Sequence, residues 1–111
     1  MSYEPHDLLM HMRDEIRFVH SVIEGMDFEA FAGNEAVKRA VVRSIEIVGE
    51  AAKKMPEIYR SAHPEIEWKR MAGMRDRLIH DYFGVDYTIV WDVASRIFPS
   101  LNEQVDELMS R

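Results

Sequence analysis

With 111 residues and no cysteine, the chain suits one domain with one modest core, and disulfides and thiolate metal sites are excluded. The formal net charge of −6 opposes long-range attraction to nucleic acid, but the charge is unevenly spread. Lys38 to Arg77 holds ten of the fourteen Lys and Arg against six of the twenty acids, whereas the two ends together carry four bases against fourteen acids. Only the middle of the chain is basic enough to meet phosphate.

The first eighteen residues, "MSYEPHDLLMHMRDEIRF", are broken by charges every few positions and have no secretory or transit pattern. No apolar run approaches the roughly 20 residues that span a bilayer, so a soluble, cytoplasmic protein with no membrane partner is expected. Residues 6–24 place Leu8, Leu9, Met12, Ile16, Val19 and Ile23 at spacings of three and four, which predicts a first helix stopped by Gly25. After "MDFEAFAG", whose Gly33 marks a break, the pattern Val37, Val41, Ile45, Val48, Ala52, Met55 predicts a second helix ended by Pro56. Residues 56–66 read as a connector with one short turn between Pro56 and Pro64, and a third helix is predicted from about Glu65 to Phe83. Asp86 is a good N-cap for a fourth helix through Ile89, Val90, Val93, Ile97, Leu101, Val105 and Leu108, with a kink or split expected at Pro99. The fold class is therefore all-α: an antiparallel helical bundle of four main helices plus a short connecting helix, one domain over residues 1–111.

The third helix carries an unusual set of groups. On an ideal helix Trp68, Met71, Arg75, Leu78, Ile79 and Tyr82 share a face roughly 80° wide, so Arg75 and Tyr82 sit in an apolar stripe. That stripe, at Met71, Arg75 and Tyr82, is the expected interface of a two-fold dimer. His80 lies about 140° from Arg75, and one rigid helix does not converge the two heads. Either the long arginine side chain wraps toward the histidine near Gly84, or a second copy of the helix faces the first across a two-fold axis. Histidine and a guanidinium fork together suit RNA cleavage without a metal: the imidazole moves protons at the 2′-hydroxyl and the leaving oxygen, and the fork stabilises charge on phosphorus.

The run "WKRMAGMRDRLIHDYFGVDYTIVWDV", Trp68 to Val93, closely resembles the signature region of HepT-like HEPN proteins, the toxin half of HepT/MntA toxin–antitoxin pairs of type VII. The family motif is Arg, four residues, His, one residue, Tyr, and it falls on Arg75, His80 and Tyr82. The resemblance extends over nearly the whole chain, including the helix order and the "GVDY…VWD" run. It implies a helical-bundle protomer, a homodimer with both motifs lining one cleft, and a metal-independent endoribonuclease without cofactors. By that resemblance Arg75 and His80 are catalytic. The same resemblance implies that Tyr82 is the hydroxyl that a minimal nucleotidyltransferase antitoxin, MntA-like, modifies with AMP to silence the enzyme. Asp76 stands where the family often has Asn; a carboxylate one turn before His80 is expected to hold the ring and raise its pKa, yet adds negative charge where RNA approaches. The other functional class left open is a catalytically weak HEPN subunit that binds nucleotide or the nucleotidyltransferase without cutting RNA.

Other groups fall outside the motif. His11 and Glu15 have the i,i+4 spacing of a metal pair, flanked on the same helix by His6 and His20, but no third ligand is evident and no metal is expected. Lys53, Lys54, Arg60, His63, Lys69 and Arg70 form either an RNA backbone track, a docking surface for an acidic partner, or a merely solvated surface. Eight methionines are most simply core filler, and would also suit an adaptable interface.

Overall fold

A computed structural model of the chain describes residues 4–78 and 84–111. Helix α1 (Pro5–Ile23) starts with proline in its first turn, where no intrahelical donor is missed, and buries Leu8, Leu9, Met12, Ile16, Val19 and Ile23, the set its spacing predicts. Gly25 follows at a φ of +79°, a turn that disfavours any side chain. Helix α2 (Phe28–Ala32) occupies the region where only a break is expected; Asp27 caps it by accepting from the Ala30 N–H at 2.8 Å, and Phe31 is fully buried. Helix α3 (Glu35–Lys54) is capped by Asn34, whose side chain accepts from the Val37 N–H at 3.0 Å. The connector contains α4 (Glu57–Ala62), bounded by Pro56 and Pro64 as predicted.

Helix α5 (Trp68–Leu78) is pinned at its start, where the Trp68 indole N–H donates to the His63 carbonyl at 2.9 Å. Asp86 then caps α6 (Tyr87–Asp92), accepting from the Thr88 N–H at 3.0 Å and from the Thr88 hydroxyl. The break expected at Pro99 takes the form of a π-helical turn, Val93–Ile97, followed by α7 (Phe98–Met109). Pro99 has no N–H to return to the preceding turn, and the chain meets that loss with one wide turn, in which the Phe98 N–H reaches back to the Val93 carbonyl.

Among the described residues the protein is all-α and has no strand. Helix α1 lies between α3 and α7, and α3 packs in turn on α5. Glu15 of α1 accepts from the buried Ser44 hydroxyl of α3 at 2.8 Å, and Leu8, a turn or two earlier, faces the later part of α3, so the two helices run antiparallel. On the other side Arg17 reaches Asp106 of α7 at 3.1 Å. One continuous core runs through these helices, with Met12, Ile45, Met74, Phe98 and Val105 fully buried. No helix among the described residues is long and apolar enough to cross a membrane.

Two expectations about the third helix need correction. Met74 joins Trp68, Met71 and Leu78 in the core, while Arg75 is exposed rather than set within the buried stripe. The cause lies in what covers each turn: Tyr59 packs edge-on to Trp68 with ring centroids 6.1 Å apart, but two turns later no described residue covers Arg75 in this way. Met71, only 3% exposed, belongs to the protomer's own core and cannot form part of an interface surface.

The seat of α5 is set by a glycine. A Cβ added at Gly49 of α3 would stand 2.9 Å from the Met71 carbonyl oxygen, which is backbone and cannot swing away. Alanine at that position gains about 1 kcal/mol of helix propensity but must push α5 outward, at an overpacking cost of about 1–3 kcal/mol. Gly49→Ala is therefore expected to lower Tm by about 5 °C in thermal unfolding followed by circular dichroism, and an unchanged or raised Tm would show that the two helices do not meet so closely.

Candidate active site

Arg75 stands on α5 at the rim of a groove of about 440 Å³ formed with α1 and α3. From α1 the groove takes Leu8 and His11; from α3 it takes Arg43, Glu46, Ile47, Glu50, Ala51 and Lys54. The α3 residues recur at intervals of three and four, so one face of that helix forms a wall. Glu46 lies 3.4 Å from Arg43 and Glu50 lies 3.6 Å from Lys54, so each carboxylate is occupied by a cation of its own helix. Arg75 makes no ion pair among the described residues. Its guanidinium is thus the charge of this groove that no carboxylate in the groove pairs with.

Asp76, the next residue, is exposed on α5. His80 and Tyr82 lie outside the described residues, as does the last part of the predicted third helix. The described backbone on either side of them is nevertheless tied together: the Asp86 N–H donates to the Leu78 carbonyl at 2.7 Å. The capped start of α6 is therefore fastened to α5 one turn from Arg75, and Leu78 itself is buried.

The remaining candidates do not assemble around Arg75 as a group. Of the basic run, only Lys54 shares its groove. Arg60, Lys69 and Arg70 line a separate hollow together with Glu57 and Glu67, and Arg70 is paired with Glu67 at 2.9 Å. His63 packs on Tyr59 with ring centroids 4.3 Å apart and lies 3.6 Å from Glu65. Glu15 is engaged by Ser44, and among the described residues no three His, Asp or Glu side chains are grouped to hold a metal ion. His11, Arg43 and Ile47 are groove residues that sequence reasoning did not connect with Arg75. The available signal was the stripe Arg43, Ile47, Lys54 on one face of α3, but nothing local says that α5 lies against that side.

The sequence profile of the family described as "Ribonuclease HepT-like" matches residues 12–108, a span that includes Arg75, His80 and Tyr82. The chain belongs to the HepT-like ribonuclease family. A protein of Caldanaerobacter subterraneus subsp. tengcongensis, provisionally named an RNase, is 42% identical over 107 residues, covering 96% of each chain. A protein of Methanocaldococcus jannaschii with the same provisional description is 43% identical over 104 residues, covering 94% of this chain and 86% of its own. One from Thermococcus cleftensis, provisionally named ribonuclease HepT, is 38% identical over 102 residues, 92% of this chain and 93% of its own. No solved structure matches the chain.

Electrostatics near the start of α5 yields a test of how this HepT-like protein seats that helix. Burial raises the pKa of Tyr59, the nearby Glu65 carboxylate raises it further, and Arg111 opposes both. The folded chain thus holds the phenolic proton more tightly than the unfolded chain, whose tyrosine titrates near about pH 10. The resulting stability is fully present below that pH and is lost as pH rises through the folded-state value. Tm should therefore fall more steeply above about pH 10 in the wild type than in Tyr59→Phe, and parallel pH profiles for the two would show that Tyr59 is not held this way.

Proposed function

We propose that the protein is a metal-independent endoribonuclease of the HEPN type, acting as a homodimer in which the motifs of two protomers line one cleft. The observation that carries this reading is Arg75, exposed on α5 and without an ion pair among the described residues, at the first position of an Arg-x4-His-x-Tyr motif inside the region that matches the ribonuclease family. A guanidinium that no carboxylate holds can take a phosphodiester without first releasing an ion pair. The dimer answers a geometric need: a continuous helix would separate Arg75 and His80 by about 140°, whereas a two-fold pair brings two arginines and two histidines to one cleft.

In the proposed reaction the 2′-oxygen of RNA attacks the adjacent phosphorus, forming a P–O2′ bond as the P–O5′ bond breaks. A histidine accepts the 2′-hydroxyl proton, and a proton is delivered to the departing 5′-oxygen. Two His80 side chains across the cleft can divide these tasks, with the two Arg75 forks holding the charge that accumulates on the phosphoryl oxygens. Asp76 sits beside the motif arginine and is assigned the support of His80. The products are a 2′,3′-cyclic phosphate and a 5′-hydroxyl.

The same reading assigns the chain to the toxin half of a pair, with a minimal nucleotidyltransferase as antitoxin. In that role the Tyr82 phenolic oxygen attacks the α-phosphorus of ATP on the partner enzyme, loses its proton, and releases pyrophosphate. An AMP group placed there would bring a phosphate anion beside Arg75, competing for the guanidinium and repelling incoming RNA.

Two outcomes check the proposal. Purified protein should cleave RNA in chelator-containing buffer, and His80→Ala should reduce the rate by about 10² to 10⁴-fold with helical circular dichroism and dimer mass unchanged. Arg75→Lys should also lose most activity, since a point charge does not replace a fork. Cleavage by His80→Ala within a few-fold of wild type would reject its assignment. Separately, incubation with ATP, magnesium and the cognate nucleotidyltransferase should add AMP to the wild type and not to Tyr82→Phe by intact mass. An adduct that persists in Tyr82→Phe would place the switch elsewhere.

A further inference from the structure

Resting on the ribonuclease reading, we infer that the groove between α1, α3 and α5 is a nucleotide subsite, holding a nucleotide that flanks the scissile phosphate, with Ile47 as a determinant of its binding. Three features of the groove lead there. Its volume of about 440 Å³ falls within the range of roughly 300–1,000 Å³ usual for small-molecule clefts. Its floor is apolar, made by Leu8 and Ala51, both nearly buried, and by the half-buried Ile47. Its rim is ionic and leaves one positive charge over.

That surplus identifies the occupant. Among the described residues the groove is lined by three permanent cations, Arg43, Lys54 and Arg75, and by two carboxylates, Glu46 and Glu50, which gives a balance of +1 without counting His11. Each carboxylate is matched by a cation on α3, at 3.4 Å for Glu46 and 3.6 Å for Glu50. The surplus therefore rests on Arg75, and it matches the single negative charge of one phosphodiester. A ligand with one anion and one flat apolar body fits both halves of the groove: the phosphate takes the Arg75 fork, and the base lies over Leu8, Ile47 and Ala51. His11 stands at the edge of the base position, with hydrogen-bonding nitrogens for its polar rim. An extended acidic peptide would lack the flat body, and an uncharged apolar segment would leave the guanidinium unanswered.

The test uses the full-length protein and a short 2′-O-methyl RNA, which cannot undergo attack by the 2′-oxygen and so reports binding alone. Methyl NMR of the wild type titrated with this RNA should shift the Leu8, Ile47 and Ala51 methyls together. Ile47→Glu places a carboxylate on the floor at a position that is already partly exposed. It should weaken binding about tenfold or more in fluorescence anisotropy, whereas Ile47→Leu should bind like the wild type. If the wild type binds and cleaves RNA but the three methyls stay unshifted, or Ile47→Glu binds as tightly, the subsite is overturned and the ribonuclease reading stands. If the wild type neither binds nor cleaves RNA, the ribonuclease reading fails and takes the subsite with it. If Ile47→Glu converts a dimer to a monomer in light scattering and the RNA leaves the floor methyls unshifted, the occupant is a second copy of the chain, and the subsite is again overturned.

Discussion

Helices α3 and α5 meet so closely at Gly49 that a single added carbon would press on the Met71 carbonyl, and the position of everything that follows on α5 depends on that contact. Met71 seated there directs Met74 and Leu78 into the core and leaves Arg75, between them, at the rim. A wider spacing would let the arginine tilt and would open the groove. The same helix α3 is held from another side by the Ser44 to Glu15 hydrogen bond, so α1, α3 and α5 pack as one wall. The backbone that carries Arg75 is thus placed by helix-to-helix contact at Gly49.

Charge tells a similar story on a smaller scale. The chain is acidic overall, yet what a phosphate would meet is a local arrangement in which carboxylates are already matched. Exposed i,i+3 and i,i+4 pairs contribute little stability, about 0.3–0.5 kcal/mol each, but they decide which cation is left without a partner. In the groove wall Glu46 and Glu50 are each matched by a cation of α3, whereas the motif arginine on α5 has no ion pair among the described residues. Net charge therefore argues weakly about RNA here, whereas pairing within the groove argues strongly.

Much of the fold was legible because long amphipathic helices announce themselves. The six buried residues of α1 follow directly from their spacing, Asp86 caps α6 through the hydrogen bonds its side chain invites, and Pro99 forces a departure from α-helical geometry that takes the form of one wide turn. Helix α2 escaped because five residues carry no period, although Asp27 before Phe28 was an available capping signal. The angular position of Arg75 placed it in the buried stripe because a helical wheel treats every turn alike. Coverage by Tyr59 at Trp68, and the lack of it among the described residues two turns later, is a tertiary fact. The groove itself was illegible for the same reason, since His11, Ile47 and Arg75 lie on three helices far apart in sequence. The motif was recognisable as a pattern, and of its members the structure describes Arg75 and the adjoining Asp76, with His80 and Tyr82 outside the described residues.

The proposed cleavage rests on attack by the RNA's own 2′-oxygen, with protein side chains moving the protons. The direct measurement is the chemistry of the new ends, read by mass spectrometry of the fragments after digestion of a defined RNA in chelator-containing buffer. Fragments ending in 2′,3′-cyclic phosphate, paired with 5′-hydroxyl ends, are the predicted result. Fragments with 3′-hydroxyl and 5′-phosphate ends would show that water attacked phosphorus instead, and would contradict the roles assigned to Arg75 and His80.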